Sequence, residues 1–141
     1  MPSSGVRAFL VALTPEGREA FQRGEMEITV SPFRVGRESR THDSAEKKAF
    51  FADKRKPTNR PNNDLYLIEE TDQINVSREH FQIERDGAGF ALEDRGSTVG
   101  TIVEGGKVGG DNKGGRVALR DGDVIIVGGS VSPYVFKFRA R

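Results

Sequence analysis

The chain has 141 residues, enough for one domain with a single core, and its 17 glycines point to many tight turns and short strands. It has no cysteine and only two histidines, which excludes disulfides, thiolate chemistry, zinc fingers and iron–sulfur clusters and argues against a histidine-rich metal site. The net charge of +1 hides a local excess: residues 34–61 hold 9 basic and 4 acidic side chains (+5), the other 113 hold 13 and 17 (−4), which suits an anionic ligand at one place better than a nucleic-acid track.

In chain order, Arg7–Leu13 reads as a strand that ends at the turn Thr14-Pro15-Glu16-Gly17. Its apolar run, Ala8–Leu13, falls far short of the ~20 residues that span a bilayer, and no small-residue cleavage pattern follows it. A cytoplasmic protein without membrane contact is the expectation. Glu25–Val30 alternates, with Met26, Ile28 and Val30 on one face, and Pro32 ends it. Phe33 and Val35 lead into Gly36-Arg37. Residues 42–56 carry helix signals: Asp43 as N-cap, Glu46 as its capping-box partner, apolar residues at helical spacing, and Pro57 as the stop. Residues 39–61 therefore read as a basic insertion, part helix and part loop. Leu65–Ile68 is a short strand. His80–Arg85, the turn Asp86–Gly89, and Phe90 and Leu92 read as a hairpin. Thr101–Val103, Lys107–Val108, Arg116–Leu119, Val124–Val127 and the face made by Tyr134, Phe136 and Phe138 complete the set. About eleven short strands separated by turns predict an all-β chain, a β-sandwich forming one domain over residues 1–141.

Three stretches carry the functional signal: Phe33-Arg34-Val35-Gly36-Arg37; Asn63-Asp64-Leu65-Tyr66-Leu67 followed by Val76-Ser77-Arg78-Glu79-His80-Phe81; and Leu92-Glu93-Asp94-Arg95-Gly96-Ser97-Thr98-Val99-Gly100-Thr101-Ile102-Val103. Taken singly, Arg37 reads as a solvated arginine after a strand, and Ser77 and Thr98 as turn residues. Taken in this order, they resemble the forkhead-associated (FHA) domain, an FHA/SMAD-like β-sandwich that binds phosphothreonine peptides. Leu119–Ile125 also resembles that family's late hairpin. The resemblance covers about Phe9 to Phe138 and implies the following roles. Arg37 clamps the phosphate, Ser77 donates its hydroxyl to it, Arg78 adds a second cation or touches the peptide main chain, and Thr98 makes a further phosphate contact. His80 braces the loops, and Gly36 and Gly100 meet backbone requirements. The chemistry fits. A phosphate carries about −1.5 to −2 charges, a guanidinium grips it with two parallel hydrogen bonds, and small hydroxyls complete the oxygen shell.

Two departures stand out. Val99 occupies the place of the family's peptide-binding asparagine and can neither donate nor accept with its side chain. The 39–61 insertion follows Arg37 directly and brings Arg40, Lys54, Arg55 and Lys56 as possible auxiliary contacts. The resemblance implies a phosphothreonine-peptide-binding interaction module in Ser/Thr-kinase signalling, with no cofactor and a phosphothreonine-containing protein as partner. The alternative is a degenerate FHA domain that binds an unphosphorylated partner or self-associates. An enzyme is not expected: no nucleophile–base pair, metal cluster or G-x-x-x-x-G-K-[ST] loop is present. A nucleic-acid partner is not expected either, since no such motif occurs.

Overall fold

The computed structural model describes residues 6–38, 63–68, 75–87 and 89–141. The expected helix over 42–56 and the auxiliary cations Arg40, Lys54, Arg55 and Lys56 lie outside the described residues.

Alternating apolar side chains build two stacked sheets. The first contains β1 (Ala8–Ala12), β2 (Glu25–Ile28), β7 (Thr101–Val103), β8 (Gly106–Val108), β10 (Val124–Val127) and β11 (Val135–Ala140), in the order β2-β1-β11-β10-β7-β8. The second contains β3 (Phe33–Arg37), β4 (Leu65–Leu67), β5 (Phe81–Asp86), β6 (Gly89–Asp94) and β9 (Gly115–Leu119), in the order β4-β3-β5-β6-β9. All pairings are antiparallel except β3 with β4. Among the described residues this gives the eleven strands of the predicted β-sandwich. Leu10, Val35, Phe81, Ile83, Leu92, Ile125, Phe136 and Phe138 meet between the layers, almost wholly buried. Each such side chain contributes about 1.5–3 kcal/mol from its removal from water.

Three local readings are corrected. The expected turn at Thr14–Gly17 opens a helix, α1 (Pro15–Phe21). Thr14 is its N-cap, accepting the Gly17 N–H at 3.1 Å; Pro15 occupies the first turn, where its missing N–H costs nothing, and Glu16 faces the positive end of the helix dipole. Gly17 is buried, and a methyl group there would come within 3.0 Å of the Phe136 ring, so the helix packs on that side chain of β11. Second, β2 stops at Ile28; Val30 lies beyond the strand and is 51% exposed, off the inward face. Third, Leu119–Ile125 is not a hairpin. β9 pairs with β6 in one sheet and β10 with β7 and β11 in the other, so Arg120–Asp123 carries the chain between the two layers. The Asp86–Gly89 turn does close a hairpin, pairing Asp86 with Gly89. Among the described residues no helix is long and apolar enough to cross a membrane.

Register decides which loops meet. Val35 pairs with Phe81, Phe81 with Asp94 and Asp94 with Gly115; in the other sheet Thr101 pairs with both Val108 and Val127. The C-terminal end of β3, the segment before β5, the β6–β7 loop and the β8–β9 loop therefore gather at one end of the sandwich.

Candidate functional site

That end holds Gly36, Arg37, Ser77, Arg78, His80, Thr98 and Gly100. Arg37 is the last residue of β3. Its N–H donates to the Ser77 carbonyl at 2.9 Å and its side-chain Nε to the Val76 carbonyl at 2.8 Å. The backbone and one guanidinium nitrogen are thus fixed. The two terminal nitrogens make no hydrogen bond or ion pair among the described residues. Ser77 is half-buried; its Oγ accepts the Thr98 N–H at 3.0 Å, which leaves its proton free to donate. Thr98 is exposed, held through its backbone on both sides, because its carbonyl accepts the Asp111 N–H at 2.8 Å. The exposed side chain of Arg78 makes no hydrogen bond or ion pair among the described residues, whereas its carbonyl is the anchor of a buried network.

His80 is fully buried and joins the two sheets. Its Nδ1 accepts the Ser77 N–H at 2.9 Å, so the proton resides on Nε2, which donates to the Gly100 carbonyl at 2.7 Å. A neutral imidazole with this tautomer thereby connects the segment before β5 to the start of β7. Gly100 has φ +94 and lies under Lys107; a side chain there is strained on both counts. Gly36 needs no unusual φ but allows no Cβ: one would fall 2.0 Å from the Arg78 carbonyl oxygen and 2.6 Å from the Asn63 amide nitrogen.

Two residues without an assigned role complete this network. Asn63, 2% exposed, donates from Nδ2 to the Arg78 carbonyl at 2.8 Å and accepts from Arg95 at Oδ1, at 2.5 Å. Arg95 also sits 3.7 Å from Glu79, and its N–H donates to the His80 carbonyl at 2.9 Å. Burial lowers the pKa of the Arg95 guanidinium and the nearby Glu79 carboxylate opposes that shift, but a guanidinium stays charged at any ordinary pH. The sequence signal for Asn63 is the Asn63-Asp64 pair; Arg95 lies in the third stretch, where no role attaches to it. Asp64 itself accepts the Arg34 N–H at 2.8 Å and its Nε at 3.2 Å, and this hydrogen bond raises the pKa of Arg34. Asp94 organises the β6–β7 loop. Its carboxylate accepts the N–H groups of Gly96 and Ser97 at 2.8 and 2.9 Å and the Ser97 hydroxyl. Val99 is half-buried between Thr98 and Gly100.

A two-layer β-sandwich whose loops gather arginine, serine and threonine side chains at one end defines a binding module built on a rigid scaffold. The sequence model of the FHA domain matches residues 33–128, more than half of the chain, and the chain belongs to the FHA domain family. Solved structures share the fold. The kinase-interacting FHA domain of the kinase-associated protein phosphatase of Arabidopsis is 21% identical, with a TM-score of 0.59 over 96% of this chain and 93% of that one. The FHA domain of the CT664 protein from Chlamydia trachomatis is 21% identical, with a TM-score of 0.56 over 94% of this chain and 96% of that one. Mycobacterium tuberculosis EmbR, solved with a low-affinity phosphopeptide, is 20% identical, with a TM-score of 0.56 over 94% of this chain; the chain spans only 24% of EmbR. No curated protein matches the sequence.

Proposed function

We propose that this chain is a non-catalytic reader of phosphothreonine in partner proteins, serving Ser/Thr-kinase signalling in the cytoplasm. The observation that carries this reading is the fixed Arg37. One guanidinium nitrogen is held by the Val76 carbonyl, and two others make no hydrogen bond or ion pair among the described residues, on the strand end bonded to Ser77. In this reading Arg37 grips the phosphate, the Ser77 and Thr98 hydroxyls supply further donors, and Arg78 adds positive charge or meets the peptide backbone. His80, Gly36 and Gly100 hold the loops in register. Hydrogen bonds involving charge contribute about 1.5–3 kcal/mol each, against about 0.5–1.5 for the neutral ones an asparagine at position 99 would add. Phosphate recognition therefore survives Val99, with a looser hold on the peptide main chain. That the EmbR structure contains a phosphopeptide supports the same reading.

The test is titration calorimetry against a phosphothreonine peptide library, with unphosphorylated and phosphoserine versions alongside. Micromolar binding that requires the phosphate on threonine, and that falls about a hundredfold or more in Arg37→Ala, is the expected result. Absence of heat with every library would overturn it. Val99, an aliphatic side chain where the family places asparagine, favours a second reading in that event. The domain would then be degenerate, binding an unphosphorylated partner or a second copy of itself, with the basic residues of 39–61 the first to substitute.

A further inference from the structure

The β8–β9 loop is tied directly onto the candidate site. The Asp111 N–H donates to the Thr98 carbonyl at 2.8 Å and the Asn112 N–H to the Ser97 carbonyl at 3.0 Å. Leading into that loop is Lys107, on β8. Its register partner is Ile102 on β7, so its side chain leaves the outward face of the sheet, opposite to the inward Thr101, Val103 and Val108. From there it lies across two buried glycines. A methyl group on Gly100 would come within 3.0 Å of Lys107 Cε, and one on Gly110 within 2.8 Å of Cε and 3.1 Å of Nζ. The same point above Gly110 is 3.3 Å from the Val99 carbonyl oxygen. Both glycines have left-handed φ, +94 and +101, so neither position readily takes a side chain that would displace the lysine. The ammonium and the Val99 carbonyl oxygen thus flank the same point above Gly110, next to a site position whose aliphatic side chain offers no hydrogen bond. Lys107 has no carboxylate partner among the described residues, and most of its stem atoms are apolar, suited to lying on backbone while the charge stays wet.

From this geometry we infer that Lys107 is a specificity-determining cation of the site, reading an anionic side chain, glutamate, aspartate or a second phosphoryl group, beside the phosphothreonine. The inference rests on the phosphopeptide reading. It replaces a main-chain hydrogen bond, indifferent to peptide sequence, by a charge contact that depends on it. Val99 then exchanges affinity for any peptide for selectivity toward acidic ones.

The experiment uses the full chain and a series of peptides with one phosphothreonine in which a single flanking position at a time is Glu, phosphoserine, Gln or Lys. Fluorescence anisotropy gives each Kd. At one flanking position the order Glu and phosphoserine tighter than Gln, and Gln tighter than Lys, is expected, with steps of about two- to fivefold for a solvent-exposed contact. Lys107→Gln flattens that order at that position, and Lys107→Glu reverses it. Lys107 is exposed, so both variants retain the fold, and the reversal is a readout that general loss of structure does not produce. A charge order that persists unchanged in both variants assigns it to Arg37 and Arg78 and overturns the role of Lys107, as does equal binding of all four peptides by the unaltered chain. If no peptide binds in a phosphothreonine-dependent manner, the reading of the site itself fails, and the inference fails with it.

Discussion

On the outer face of the β5-β6-β9 sheet an arginine is matched by carboxylates; at the loop end of the same sandwich Arg95 has Glu79 beside it, but three other cations have no such partner among the described residues. On the sheet face, Arg116 lies 2.9 Å from Glu84, 2.7 Å from Glu93 and 3.4 Å from Asp86, and these contacts raise its pKa. Its charge is answered within the chain. At the loop end, Arg37 is held through backbone carbonyls, and Arg37, Arg78 and Lys107 have no carboxylate partner among the described residues. Cations matched by carboxylates describe a solvated surface. Cations held by neutral groups leave a local positive field, and that field is what an anionic ligand meets.

The comparison can be broken most forcefully at Gly36. Gly36→Ala places a methyl group on the backbone of Arg78, which cannot step aside as a side chain could. A loss of about 1–3 kcal/mol in denaturant unfolding is expected, with phosphopeptide binding abolished in calorimetry. Asn63→Ala comes next. It removes one acceptor of Arg95 and the donor to the Arg78 carbonyl, taking two hydrogen bonds out of the network. A loss of about 1–3 kcal/mol is expected, and the shift of the Ser77-Arg78 segment weakens binding as well. Val99→Asn sharpens the comparison in the other direction: restoring a main-chain hydrogen bond tightens peptide binding by about tenfold in anisotropy titrations. Arg116→Ala has the smallest effect. It leaves peptide affinity unchanged and lowers the unfolding midpoint near neutral pH by no more than a few degrees. Arg116 holds the Glu84 carboxyl below its usual range, so this contribution is present above the ordinary glutamate pKa of about 4.3 and is lost as the pH falls through the lowered value. The midpoints of the two proteins therefore converge on acidification.

Much of this was legible in the amino-acid order. Alternation in Phe81–Asp86 and Gly89–Asp94 with a glycine turn between them is enough to specify a hairpin, because the partner strand is the next one along. The same local signal around Arg120–Asp123 misleads, because whether β10 continues in the sheet of β9 or crosses to the other depends on β7 and β11, not on the turn. Thr14-Pro15-Glu16-Gly17 is equally compatible with a turn and with an N-cap. Packing on Phe136 selects the helix, and that contact spans more than a hundred residues. At the site, Arg37, Ser77 and Thr98 are legible as a motif. Arg95 is not, since its partner Asn63 lies 32 residues away and nothing local announces the pairing. Lys107 is hidden for a similar reason: its place over Gly100 and Gly110 follows from pairing between β7 and β8.

The buried bridge through His80 has a consequence in time. The Ser77 amide belongs to a loop, yet its proton is bonded to an imidazole fully enclosed between the layers, and that imidazole is bonded to the opposite sheet at Gly100. Releasing this proton to solvent requires the bond to the buried imidazole to break first. In native-state hydrogen exchange the Ser77 amide is therefore expected to exchange far more slowly than the exposed amides beside it in the same segment, those of Arg78 and Glu79.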